Sequence, residues 1–160
     1  MGKKLRWMRS EIDYDLASAG WLAGHAHQEL DGHVRHQLAD ICEGENRHLV
    51  SRFLGLAFAE VCRRLGNRVR VIAGDGCDNR LEEPAWYELV LTGGNVSPAD
   101  LAYLKEQVHS YLVWRVFGIW CGTRLPAESR AAAENASSAL AEAATALGRR
   151  SHFRRNIPPI

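Results

Sequence analysis

The sequence lacks long apolar runs: none approaches the roughly 18 residues that a membrane-spanning helix needs, so no membrane partner is expected. No secretory signal is expected, because no apolar core follows the basic stretch MGKKLRWMRSEID. It lacks a charge excess: the formal net charge of +1 leaves no global field to draw the chain onto nucleic acid or membrane. Its four cysteines, Cys42, Cys62, Cys77 and Cys121, show no C-x-x-C spacing, and they read as reduced thiols of a cytoplasmic protein. There is no G-x-S-x-G, no Walker loop and no G-x-G-x-x-G after a strand. No nucleophile, base and orienting group can be named together, so the expectation is a non-enzyme without a cofactor.

The 160 residues that remain to be explained suffice for one ordinary domain with a real core. An apolar fraction of 46% and a charged fraction of 24% are those of a globular chain. The organising stretch is Ser97 to Gly122, SPADLAYLKEQVHSYLVWRVFGIWCG. Ser97 caps the first turn, Pro98 sits where a missing N–H costs nothing, and Asp100 suits the positive helix end. Leu101, Leu104, Val108, Tyr111, Leu112 and Ile119 recur at three- and four-residue steps along one face. Trp114, Val116, Phe117, Trp120 and Cys121 then spread apolar surface around the second half. A helix that is apolar all round is covered on all sides. Either neighbouring helices cover it within one chain, or a second subunit takes part, with Trp114, Phe117 and Trp120 as the interface residues.

Before that helix, residues 1–10 carry Lys3, Lys4, Arg6 and Arg9 without an acid and read as a flexible N-terminal arm. Ile12, Leu16, Trp21 and Leu22 suggest a short helix interrupted by Gly20 and Gly24. Leu30, Val34, Leu38 and Ile41 fit a second stripe, with Gly32 as a weak point inside it. Asn46 is expected to cap a helix over 47–65, with Val50, Leu54, Ala57, Val61 and Leu65 inward and Gly66 at its end. RVRVIA (68–73) and WYELVLT (86–92) alternate as strands do, and the turn formers between them predict one β-hairpin with a long loop. After Pro126, the alanine-rich stretch 127–147 predicts a strong helix, with Ala132, Ala136, Ala139, Leu140, Ala143 and Leu147 as a narrow seam. Gly148 is expected to end it. The tail RRSHFRRNIPPI, residues 149–160, then reads as an extended basic arm that cannot finish as a helix. The fold class is therefore mainly α: a single domain over 1–160, a small bundle of three to five helices with a β-hairpin insertion and basic terminal arms.

Four histidines, His25, His27, His33 and His36, cluster within HAHQELDGHVRH. Only His33 and His36 have the spacing of two ligands on one helix face, and no H-E-x-x-H or cysteine pair joins them. Surface or packed histidines are the better reading, and no metal site is assigned. The loop Gly74–Asn79 offers oxygen ligands but lacks the spaced set and closing Glu of a calcium loop, so it reads as a turn. Cys77, between Asp75 and Asp78, would make a poor thiolate. Asp13 and Asp15 flank Tyr14, with no second set of carboxylates placed near them.

Over residues 45 to 160 the order of parts resembles the head–tail connector (adaptor, or head-completion) proteins of tailed phages, including those of Bacteroidales prophages. The segments that carry the likeness are YELVLTGGNV leading into LKEQVHSYLVWRVFGIW, and the terminal arm RRSHFRRNIPP. The histidine cluster falls outside it. The resemblance implies a non-enzymatic virion protein of the phage neck, assembled in the bacterial host cytoplasm. It implies a homo-oligomeric ring of about twelve subunits between the portal protein and the tail. A tail terminator or another neck protein is the alternative within this class, and a small metal- or ligand-binding helical module is the alternative outside it. Other neck proteins would be further partners, with incidental contact to DNA in the channel. In the C-terminal arm, Arg149, Arg150, Phe153, Arg154, Arg155, Ile157 and Ile160 would form the interface, the arginines setting register against acids on the neighbour.

Overall fold

The computed structural model describes residues 2–71, 84–92, 96–122 and 124–153. In chain order these form β1 (Lys3–Met8), α1 (Arg9–Ala26), α2 (Gly32–Ala39), α3 (Asn46–Leu65), a 3-10 turn (Gly66–Arg68) and β2 (Val69–Val71). They continue with β3 (Trp86–Leu91), α4 (Pro98–Cys121) and α5 (Pro126–Phe153). The chain is thus mainly helical with one small antiparallel sheet, of order β1-β3-β2. Among the described residues no helix is long and apolar enough to cross a membrane.

The expected hairpin is present: β2 pairs with β3 through Val69 opposite Leu91 and Val71 opposite Leu89. The third strand is the departure from expectation. Residues 3–8, read as a loose arm, form β1 and cover the other edge of β3, with Leu5 opposite Leu89 and Trp7 opposite Tyr87. The physical reason is the strict alternation KKLRWM. Leu5 and Trp7 face the helices, while Lys4 and Arg6 face out. Trp7 is 2% exposed. Its indole N–H donates to the Lys105 carbonyl at 2.9 Å, and its ring meets the edge of Phe58, which leans in turn on Tyr87. On the outer face Glu88 is itself buried beneath Arg6, at 2.7 Å, and Lys4, at 3.8 Å.

The glycines of α1 do not interrupt it. A Cβ at Gly20 would stand 2.0 Å from the Leu38 carbonyl oxygen, so glycine there lets α1 and α2 cross almost backbone to backbone. Gly32 is the first residue of α2, not a weak point within a helix, and Asp31 caps it by accepting from the His33 N–H. Asn46 does not cap α3. It is the first helical residue, and its side-chain amide donates to the Asp40 carbonyl at 3.1 Å. The expected inward face of α3 is buried throughout, and Gly66 ends the helix at φ +60°. Leu49 and Leu56 of the same helix remain exposed.

α4 begins as its sequence predicts, with the Ser97 hydroxyl accepting from the Asp100 N–H at 3.1 Å and Pro98 in the first turn. α1, α3, β1 and, most extensively, α5 lie against it. The seam of α5 buries Ala132, Ala136, Ala139 and Ala143. Ala132 sits where a Cβ on Gly118 would come within 3.3 Å, and Ser129 donates to the Gly118 carbonyl at 2.9 Å. α5 does not stop at Gly148; it runs on to Phe153. The extended arm expected over 149–160 therefore begins as helix, and residues 154–160 lie outside the described residues.

Truncating Trp7 tests the reassignment of the N-terminus. Trp7→Ala is expected to cost ~3–5 kcal/mol, read as a lowered urea midpoint, whereas a tryptophan on a loose arm would leave the midpoint where it was.

Candidate functional site

Of the three aromatic residues expected at an interface, Phe117 is 2% exposed within its own chain and meets Trp114 edge-on at 6.1 Å. It is a core residue and has no surface left to offer a neighbour, because α3 and α5 close over the helix that carries it. Trp114 is half-buried against the same core. Trp120 is half-buried as well, and with Ile119, Phe53 and the exposed Leu49 it lines a shallow groove of about 390 Å³ between α3 and the end of α4. Arg149, Arg150 and Phe153 belong to the last turns of α5. Arg154, Arg155, Ile157 and Ile160 lie outside the described residues, as does the loop Gly74–Asn79 with Cys77.

The histidine cluster disperses. His25 stacks on Trp21 with rings 5.3 Å apart and nearly parallel. His33 contacts Gln37 at 3.2 Å, and His36 is exposed on α2. Among the described residues no three His, Cys, Asp or Glu side chains converge as a metal site would require. His27 instead ties the end of α1 to the start of α5, with Nε2 at 2.8 Å from Glu128 and Nδ1 at 2.9 Å from Glu29. Those two carboxylates, Glu128 foremost, hold its pKa above 6.5.

Two polar clusters fasten helices together. Arg9 is buried where α1 meets α3, its Nε 2.7 Å from Asp13 and its Nη1 2.8 Å from the Ser51 hydroxyl. The Cys42 Sγ lies against Asp13; burial, and then the Asp13 charge, push its thiol up to about 12. Burial, and then Glu128, push the Cys121 thiol up to about 11. Both are protonated at neutral pH and poor nucleophiles. Between α3 and α4, Glu60 accepts from Arg115 at 3.1 and 3.2 Å and from the Tyr111 hydroxyl. Burial acts to raise the Glu60 pKa, but the Arg115 and Tyr111 donors outweigh it and leave the carboxyl below its ordinary range.

The feature that sequence reasoning missed is a groove of about 450 Å³ between α1 and α4. Trp7 forms part of its lining, and Tyr14, 74% exposed, stands beside it. Glu11, Asp15 and Glu106 contribute three carboxylates, and Lys105 and His109 the basic groups. Asp15 and His109 meet at 2.5 Å and join the two helices. Asp13 and Asp15, neighbours in sequence, thus part company: Asp13 turns inward to Arg9, and Asp15 faces the groove. The second set of carboxylates absent from the local sequence is supplied across the fold by Glu106. The available signal was the three- and four-residue spacing of Glu11, Tyr14 and Asp15, which places them on one side of a helix once that helix is known to start at Arg9.

The His27 bridge has a pH signature. Its folded pKa is raised, so its stabilising contribution is complete below the unfolded value of 6.5 and is lost as pH rises through the folded value. The Tm difference between the wild-type chain and His27→Gln is therefore expected to be largest in mild acid and to shrink toward alkaline pH. A difference independent of pH would remove the bridge.

No protein-family model, no curated protein and no solved structure matches this chain, so the chemistry of its own surfaces is what carries a functional reading.

Proposed function

We propose that this chain is a structural virion protein, a head–tail adaptor that forms a ring between portal and tail in a phage neck. The observation that carries the reading is apolar surface left partly open in two places on a small domain, on α1 and at the α3–α4 groove. One is on α1, where Tyr14 and Trp21 lie seven residues apart on a single helix face, 74% and 58% exposed, with Leu22 beside Trp21. The other joins exposed Leu49 to Phe53, Ile119 and Trp120 at the α3–α4 groove. A closed ring is built by head-to-tail contacts, and such contacts need two different surfaces on each subunit, whereas a two-fold dimer needs only one. The element order supports the same reading: a long helix, a strand pair, an apolar helix opened by Ser97 and Pro98, and a closing helix that leads into a basic, proline-containing tail. The ring would hold about twelve subunits, with the portal protein and a tail terminator or other neck protein as neighbours.

The deciding experiment mixes the purified chain with the portal protein of the same genome and images the particles by electron microscopy. A closed ring seated on the portal is the expected result. A compact monomer that binds neither portal nor tail tubes would overturn the proposal. The double variant Leu49→Glu/Leu56→Glu is expected to keep its stability within about 0.5 kcal/mol per substitution, because both side chains are exposed, and to lose ring formation. Rings formed by that variant at wild-type yield would take the α3 surface out of the interface.

A further inference from the structure

The groove between α1 and α4 sets one exposed aromatic ring, Tyr14, among acids. Glu11 and Glu106 line it without an ion pair among the described residues, and Asp15 adds a third carboxylate, shared with His109. We propose that this groove receives the C-terminal segment, residues 154–160, of a second copy of the chain. The proposal rests on the ring-forming reading above and names the surface and the segment that would join one subunit to the next.

Charge complementarity is the first argument. Residues 154–160, RRNIPPI, carry Arg154 and Arg155 and no acid. Lys105 also lines the groove, but the groove's three carboxylates outnumber that cation, and the excess negative charge attracts such a segment during encounter and sets its register once bound. Shape is the second. Ile157-Pro158-Pro159 cannot continue a helix. Proline-rich segments dock in aromatic-lined grooves with little ordering cost, since the free chain already favours the bound conformation. The exposed Tyr14 provides that aromatic surface, while Trp7, 2% exposed, contributes almost none.

Chain direction selects a second copy. α5 runs antiparallel to α4: Ser129, near its start, bonds Gly118 near the end of α4, while Glu142 bonds Tyr103 near the beginning of α4. The chain therefore leaves Phe153 heading past the beginning of α4, away from Lys105, Glu106 and His109. Lys105 and His109 also lie on a different side of α4 from Tyr103 and Gly118, which meet α5. A tail of seven residues spans at most about 25 Å. Seating it in its own groove would need the chain to reverse and run back along α4; a neighbour approaching head to tail needs no reversal.

The test places a photo-crosslinking residue in the full-length chain by Ile157→p-benzoylphenylalanine. Light and heavy-isotope copies are mixed at rising protein concentration, irradiated and mapped by mass spectrometry. Cross-links from position 157 to peptides containing Tyr14 or Glu106, joining light to heavy copies, are expected. Glu11→Lys/Glu106→Lys should lower their yield roughly tenfold, and adding Arg154→Glu/Arg155→Glu should restore it, the signature of paired charges. Cross-links confined to one copy, cross-links to other surfaces, or none at any concentration would each overturn the proposal. Electron microscopy of the same samples separates the two readings. Rings on the portal with cross-links elsewhere would sink the groove and leave the adaptor standing. Groove cross-links in assemblies that never close on a portal would sink the adaptor and leave the groove.

Discussion

α4 is apolar around most of its second half, and the arrangement of the rest follows from the need to cover it. Leu104, Val108, Leu112 and Val116 are fully buried, and Tyr111, Val113, Phe117 and Cys121 nearly so. One neighbouring helix covers one stripe, so a helix with this much apolar surface must be met from several directions. α5 lies along one side and can come close because its seam is alanine and α4 presents Gly118. α3 occupies a second side, and α1 with β1 a third. The small sheet contributes Trp7, Tyr87 and Leu89 to the same core, which is how a three-stranded sheet too small to stand alone is held in place.

Apolar burial is non-directional and would allow these helices to slide. Polar contacts between helices restrict them. Arg9 couples α1 to α3 through Ser51, Glu60 couples α3 to α4 through Arg115 and Tyr111, and Asp15 couples α1 to α4 through His109. A buried guanidinium is costly unless its donors are satisfied, and Arg9 reaches a carboxylate, a hydroxyl and a backbone carbonyl. The same economy shapes the surface. The polar clusters sit where helices meet, while Tyr14, Trp21 and Leu22 of α1 and Leu49 and Leu56 of α3 are left outside, as are Met8 and Tyr103.

Much of this was legible in local sequence. The capped start of α4, the inward face of α3, the alanine seam of α5 and the β2–β3 pair all follow from periodicity and turn chemistry, which act over a few residues. Three readings failed for a common reason. Residues 1–10 look like a solvated basic arm until β3, some eighty residues away, supplies the strand that Leu5 and Trp7 need. Gly20 looks like a helix breaker until the Leu38 carbonyl is found where its side chain would be. Phe117 looks like an interface residue until the core of its own chain leaves it 2% exposed.

The sequence by itself determined the helical class, the hairpin and the identity of the central helix, because hydrophobic spacing and capping residues act on the chain locally. Only the tertiary structure decided which apolar residues remain exposed, and that Glu11, Asp15 and Glu106 share one groove with Trp7 and Tyr14. The spacing of side chains along a helix is written in neighbouring residues. The meeting of α1 with α4 depends on packing between segments about ninety residues apart, and no local pattern encodes it.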